Sequence, residues 1–178
     1  MPERQPGDGT AVSVHAALRS RDGGDIPQAD WIPDLEHLVA DGRLDPGFLL
    51  LRLTLTGSDG SELVVLDDFG PTVQNLCLRL VPVVAAGEAY VYEYWAHQGG
   101  LRFTPEEDRV RVTGVAPVEV EPTTFARAAL SVELLAFART AIDFMVTFAA
   151  IDQRYDSGGV PHLEDLYATA EAAVAESG

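Results

Sequence analysis

The sequence predicts an α+β fold, in which an antiparallel sheet of about five to seven strands packs against a long central helix and one or two further helices. Residues 48–56 alternate leucines with polar residues, the period-two pattern of a half-buried strand. Residues 123–152 form a predicted helix that is apolar around most of its circumference. Consecutive predicted strands follow one another through short turns, which disfavours a doubly wound parallel sheet.

The first half of the chain predicts strands, a hairpin and a short helix. Glycines at 57 and 60, with an Asp between them, favour a tight turn, so residues 48–56 and 62–67 should pair as a hairpin. A loop rich in Gly, Asp and Pro is expected between the first strand and the short helix. The remaining elements predicted here are a strand at 11–18, that loop at 20–33 and a short helix at 34–40.

A first amphipathic helix is predicted after Gly70-Pro71, because a proline is tolerated in the first turn of a helix. Pro82 should end or kink this helix, and Gly87 should close the segment. Cys77 is the only cysteine, so no internal disulfide can form, and its apolar helical neighbours predict a buried structural thiol. The expected buried face of this helix consists of Val73, Leu76, Cys77 and Leu80.

The second half returns to period two from Tyr90 onward. The pattern predicts a strand with Tyr90, Tyr92, Tyr94 and Ala96 on one side and Val91, Glu93, Trp95 and His97 on the other. Further strands are predicted at 101–104, 109–113 and 118–121, and the long helix should cover the apolar face of this meander. A loop at 156–159 and an acidic helix at 162–176 complete the prediction.

Length and charge limit the classes of protein that fit this chain. Its 178 residues suit one domain, assigned to 11–178 after a flexible amino terminus at 1–10. There are 28 acidic and 12 basic residues, every basic one is Arg, and the net charge of −16 disfavours binding to nucleic acid or anionic membranes. Charges within the long helix argue against a transmembrane span, and the polar start resembles neither a signal peptide nor an anchor. A cytoplasmic protein is expected.

The sequence contains no catalytic, phosphate-binding or zinc-binding motif, so no catalytic residue, metal or cofactor is predicted. Asp67 and Asp68 end a strand before a helix, where Asp68 is expected to cap the helix. The tyrosine strand has two interpretations, an exposed sheet face with aromatic pairs, which strand propensity favours, or a binding surface. The acidic triplet in a later connection is expected to be a solvated turn. The candidate binding residues are Tyr92, Glu93, Tyr94, Trp95, His97, Glu106, Glu107 and Asp108.

The layout resembles that of small α+β proteins from bacterial families of unknown function, some of which are immunity proteins of toxin systems. The resemblance lies in Leu66-Asp67-Asp68-Phe69 leading into the helix at 73–80, then the tyrosine strands, then the long helix at 125–151. It extends to charge, since immunity proteins are compact and acidic and bind toxins that are often basic. It implies no functional residue.

Three hypotheses follow. The first is a non-catalytic binding protein of the immunity type, which masks a basic protein partner with an acidic surface. The second is a small-molecule-binding or enzymatic domain with its pocket between the tyrosine strands and the long helix. The third is a structural homodimer joined through a sheet edge or the last helix.

Overall fold

A computed structural model describes residues 11–45, 47–152 and 159–177. The expected α+β class is confirmed, but the strands form two antiparallel sheets of four strands each rather than one sheet. The amino-terminal residues 1–10, predicted to be flexible, lie outside the described residues, as does most of the loop expected at 156–159.

The first sheet has the order β2-β1-β3-β4. Its leucine strand alternates as expected, with Leu51, Leu53 and Leu55 buried. The hairpin turn is fixed by Asp59, whose carboxylate accepts hydrogen bonds from the backbone and side chain of Ser61. The short strand β2 was not predicted from the sequence. The strands are β1 (Val12–Arg19), β2 (Asp25–Pro27), β3 (Leu50–Gly57) and β4 (Glu62–Asp68).

The second sheet has the order β5-β6-β7-β8, so each strand pairs with its neighbour in sequence. Residues 118–121, predicted as a strand, are irregular, and the fourth strand is formed by residues on which the long helix was expected to begin. Threonine and phenylalanine suit a strand as well as a helix, so composition alone did not locate this boundary. The strands are β5 (Tyr90–Glu93), β6 (Gly100–Glu106), β7 (Arg109–Val115) and β8 (Thr123–Ala126).

The helices join the two sheets. The helix α1 (Leu35–Ala40) is short, whereas α4 (Arg127–Ile151) has 25 residues and contacts β1 of the first sheet and β7 and β8 of the second. The last helix, α5 (Val160–Ser177), packs along α4. Arg139 of α4 links the two helices, since its guanidinium donates to Glu164 at 2.7 and 2.8 Å.

The helix predicted after Gly70 begins at α2 (Phe69–Pro71), continues as a π-helical segment (Thr72–Arg79) and ends as α3 (Leu80–Ala85). Pro82 does not end this helix, which continues to Ala85 before Gly87 takes a φ of 77°. The change of winding lies before the proline, where the backbone N–H of Leu80 bonds to the carbonyl of Asn75.

The core centres on aromatic side chains of α4 and of segments packed against it. Phe144 and Phe148 are fully buried, as expected for apolar residues of the predicted central helix. Trp31, which falls in the expected loop at 20–33, is also fully buried, and its indole N–H donates to the carbonyl of Ile26 at 2.9 Å. Its ring contacts Phe69 and Phe144 at centroid distances of 5.7 and 5.4 Å.

Among the described residues, α4 alone has the length and hydropathy needed to cross a membrane. Half of its most apolar window is buried inside the structure, and Leu134, Phe144 and Phe148 pack in the shared core. A core helix passes the same test, so packing explains its apolarity without a bilayer. The described residues form an α+β structure.

Candidate functional site

A buried carboxylate connects the two sheets. Asp67, near the end of β4, is fully buried and accepts three hydrogen bonds. The Tyr92 hydroxyl donates to its Oδ2 at 2.5 Å, the backbone N–H of Trp95 to Oδ2 at 2.8 Å, and that of Ala96 to Oδ1 at 2.6 Å. Buried carboxylates are rare unless paired or well hydrogen-bonded, so this arrangement indicates a constrained position.

Tyr92, one of the candidate binding residues, lies in the interior rather than on the surface. Its side chain is fully buried, and its hydroxyl also lies 3.1 Å from that of Thr72, which donates to the carbonyl of Asp68. Burial raises the pKa of the Tyr92 phenol far above its ordinary value, and the hydrogen bond to Asp67 raises this pKa further. The phenol therefore remains a neutral donor to the carboxylate.

The bonds to Asp67 explain a difference from the predicted strand. Glu93 is the last residue of β5, and Trp95 and His97 lie in a loop, residues 94–99, named here the Trp95 loop. The prediction that Glu93, Trp95 and His97 share one strand face was wrong. Because the N–H groups of Trp95 and Ala96 point to Asp67, they do not continue the ladder with β6.

The Trp95 loop closes tightly at its far end. The backbone N–H of Tyr94 donates to the carbonyl of Gly99 at 3.0 Å, and Gly99 has a φ of 91°, which favours glycine. A Cβ at Gly100 would lie 2.1 Å from the carbonyl oxygen of Tyr92, so only glycine fits there without a shift. The chain therefore fixes both ends of the loop.

The Trp95 loop presents an exposed aromatic surface. Trp95 is 72% exposed, the most exposed large hydrophobic side chain of the described residues. Tyr94 stacks on His97 with ring centroids 4.1 Å apart and contacts the edge of Tyr92. Burial raises the pKa of Tyr94 to about 12, and the nearby charge of Asp67 contributes in the same direction. Glu93 is exposed beside these rings.

Asp68 does not form the expected helix cap. It stands at the capping position of α2, but its side chain makes no capping hydrogen bond, and its Oδ1 is buried without a partner. Desolvation raises the pKa of Asp68, and the adjacent charge of Asp67 raises it further. One turn later, the hydroxyl of Thr72 donates to the Asp68 carbonyl at 2.7 Å.

Trp95 and Asn75 of the π-helical segment both line two cavities. The smaller, of about 250 Å³, follows the outer edge of β5. The larger, of about 460 Å³, lies between the π-helical segment, α4 and α5, where Arg79, Met145 and His162 line it. Departures from α-helical winding occur frequently at functional sites, and this segment contributes to both cavities. The smaller cavity is lined by Asn75, Tyr90, Val91, Glu93, Tyr94 and Trp95.

The acidic triplet lies away from the Trp95 loop. Glu106, Glu107 and Asp108 form the exposed turn between β6 and β7, as expected, and Glu107 has a φ of 56°. The Trp95 loop precedes β6 and the triplet follows it, so about 20 Å of strand separates them. The candidate residues thus form two groups, the β5 and Trp95-loop residues at one end of the sheet and the triplet at the other.

Sequence reasoning missed Asp67, Thr72 and Asn75 as parts of this site. A signal for Asp67 was present, because Leu63, Val65 and Asp67 alternate on the buried face of β4. Thr72 and Asn75 carried no comparable signal, since the π-helical winding that orients them has no recognisable sequence pattern.

No protein-family model, curated protein or solved structure matches this chain.

Proposed function

We propose that this chain is a non-catalytic binding protein that docks a basic protein partner through the Trp95 loop. The observation that carries the proposal is that Trp95 is 72% exposed while its own N–H and that of Ala96 bond to a buried carboxylate. Tryptophans are enriched among the residues that dominate binding energy at interfaces. A loop already fixed in place loses little conformational entropy when it binds, so the exposed ring is a suitable anchor.

Charge supports a basic partner. The net charge is −16, and Glu93 lies exposed beside the aromatic rings. Complementary charge accelerates encounter and disfavours acidic partners. In the described part of the chain, six arginines already pair with carboxylates, which reduces the positive charge offered to a partner. They are Arg19, Arg21, Arg43, Arg52, Arg111 and Arg139.

An immunity-type role in the cytoplasm fits these properties. An acidic protein with a rigid aromatic anchor would mask a basic toxin without chemistry of its own. A gene for a secreted or basic toxin beside the gene for this chain would support the role, whereas a metabolic operon would favour a small-molecule ligand.

The test begins with recovery of partners from the native host and continues with association kinetics on the purified pair. We expect a basic partner whose association rate falls steeply between low and physiological salt, where the Debye length shortens to about 8 Å. Trp95→Ala should weaken binding by about 30-fold, mainly through faster dissociation. An acidic partner, or an association rate indifferent to salt, would contradict the proposal.

Substitutions in the acidic turn give a second, independent test, which measures how much this turn contributes to the association rate. Neutralising Glu106, Glu107 and Asp108 together should slow association more than it speeds dissociation if the turn contributes long-range attraction. Replacing three exposed acids on α5, Asp165, Glu171 and Glu176, changes the net charge equally and serves as the control. Equal effects of the two triple variants would assign the attraction to total charge rather than to this turn.

A small-molecule-binding or enzymatic domain is the second candidate function. The cavity of about 460 Å³ falls within the usual size of ligand sites, and it lies between Trp95 and Met145 of α4, close to the expected pocket. Tight, saturable binding of a metabolite without any protein partner would favour this candidate. A homodimer in the absence of any partner, measured by sedimentation, would favour the third hypothesis.

A further inference from the structure

The smaller cavity beside Trp95 has the size and chemistry of a side-chain pocket. Its volume of about 250 Å³ lies below the roughly 300–1,000 Å³ of sites for small-molecule ligands. Tyr90 and Tyr94 stand two positions either side of buried Tyr92, with Glu93 on the same strand and Trp95 just beyond it. Three aromatic residues and one acidic residue therefore line a space suited to a single side chain.

We infer that this cavity accepts one arginine or lysine side chain of the basic partner. The inference rests on the proposed function and names the group that the partner inserts. The faces of aromatic rings carry negative potential and attract guanidinium and ammonium groups, especially at desolvated sites. Glu93 supplies the complementary charge, and Asn75 of the π-helical segment also lines the cavity.

The phenols contribute as neutral rings. Burial raises the pKa of Tyr90, as it does that of Tyr94, so both stay protonated at neutral pH and line the cavity as uncharged phenols. Glu93 is then the carboxylate that lines the cavity, and its removal should have the largest electrostatic effect.

Two arginines oppose a cation here. Arg102 is exposed and lies opposite Val91 in the pairing of β5 with β6, on the sheet face that carries Glu93. The other is Arg79. Its guanidinium donates to the Asn75 side-chain oxygen at 3.3 Å, and its charge acts on Tyr90. Arg79 is exposed, so solvent screens much of its repulsion. Removal of this arginine should strengthen binding of a cation and weaken binding of an anion. The sign of its effect therefore discriminates between the two classes of occupant.

The test uses two probes of nearly identical shape, N-acetyl-arginine amide, which is cationic, and N-acetyl-citrulline amide, which is neutral. Binding is followed by NMR through the indole N–H signal of Trp95. Trp31 gives an internal reference, because its indole N–H is buried and bonded to Ile26. We expect the arginine probe to shift the Trp95 signal saturably and to bind at least fivefold more tightly than the citrulline probe.

Substitutions at three exposed residues test whether the arginine probe binds in this cavity. Glu93→Gln should weaken the arginine probe about fivefold and leave the citrulline probe unchanged, whereas Arg79→Gln should strengthen the arginine probe. Glu36→Gln, which removes an equal charge from exposed α1, is the control and should change neither. Equal affinity for the two probes, or weaker arginine binding in Arg79→Gln, would overturn the inference.

The outcomes separate this inference from the proposed function. If neither probe binds while a basic partner still depends on Trp95, the partner docks without filling the cavity and only the inference falls. If the arginine probe binds as expected while the recovered partner is acidic, the proposed function falls and the cation pocket remains.

Discussion

At the scale of single residues, Asp67 does the most to organise the candidate surface. Its carboxylate belongs to the first sheet, and its three donors belong to the second sheet and the loop that follows β5. Each oxygen accepts at least one short bond, so the orientation of the carboxylate determines where Trp95 leaves the sheet. The carboxylate of Asp67 thus positions the Trp95 loop from inside a largely apolar core.

Replacement of this carboxylate by an amide should be strongly destabilising. In Asp67→Asn the new NH₂ group would face a hydrogen-bond donor in either orientation, because each carboxylate oxygen accepts from one. We expect the free energy of unfolding to fall by about 2–4 kcal/mol, measured by urea denaturation. Asp34→Asn, at an exposed helix cap without a side-chain bond, should stay within about 0.5 kcal/mol. A loss below about 1 kcal/mol at Asp67 would contradict this account.

Replacement of Asp68 by an amide should stabilise the protein, in contrast to the same change at Asp67. Desolvation, reinforced by the charge of Asp67, raises the pKa of Asp68 above its ordinary value of 3.8, so the folded state binds this proton more tightly than the unfolded state. Its ionisation therefore lowers stability as pH rises through the folded pKa, and the penalty is complete at neutral pH. Asp68→Asn should unfold at higher urea than the parent protein at pH 7, and this difference should shrink as pH falls towards 3.8. A difference independent of pH would contradict the electrostatic origin.

Cys77 should be inert in the folded protein. It is fully buried, and desolvation raises the pKa of its thiol far above the ordinary value, so that little thiolate forms. A maleimide reagent should label it only after denaturation, as followed by mass spectrometry. Rapid labelling of the native protein would show that the π-helical segment opens.

At the scale of elements, the sequence predicted whether a segment is a helix or a strand better than it predicted which strands pair. The alternating leucines and the apolar wrap of α4 identify a strand and a central helix directly, because each period is set by backbone geometry. The division into two sheets was not predictable, since no local pattern states which strand edges meet. The strand that begins at Tyr90 was predicted too long, because the bonds that divert it come from Asp67, 25 residues earlier than Tyr92.

The candidate site was predicted only in part, because some of its residues are brought in by contacts that are distant in sequence. The period-two pattern from Tyr90 onward identified Trp95, Tyr94 and Glu93, and all three line one cavity. The run Leu63–Leu66 is apolar at every position, which obscured the alternation that buries Asp67. The contribution of Asn75 depends on π-helical winding, which emerges only from packing.

The long helix provides the element-scale prediction. Phe148 is fully buried on α4 and contacts Phe144 at a centroid distance of 5.5 Å. Phe148→Ala should lower the free energy of unfolding by about 3–5 kcal/mol because it leaves a cavity in the core. Val146→Ala, on the exposed side of the same helix, is the matched control and should change it far less. A loss below about 1 kcal/mol at Phe148, by thermal melting, would mean that α4 is not central.

At the scale of the whole molecule, charge is the dominant property. A net charge of −16 on 178 residues makes the folded state repel itself, and ion pairs at the surface offset little of this. The same charge that suits a basic partner therefore limits the stability of the free protein.

Salt should consequently stabilise the molecule. Raising NaCl from about 0.01 M to 0.15 M shortens the Debye length from about 30 Å to 8 Å and screens repulsion between distant carboxylates. We expect the melting temperature to rise over this range, as measured by calorimetry, while an uncharged solute at equal osmolarity produces a smaller change. A melting temperature that falls would mean that the surface ion pairs outweigh the general repulsion.

Each sheet is built from one half of the chain, which has a consequence for the route by which the chain folds. The first sheet uses residues within 12–68 and the second residues within 90–126, so neither sheet needs a strand from the other half of the chain. Short loop closures are entropically inexpensive, and contacts close in sequence form rapidly. Each sheet is thus a local assembly, whereas α4 has to meet both of them. We therefore expect α4 to dock late, after the rate-determining step, so defects along its buried face should accelerate unfolding more than they slow folding.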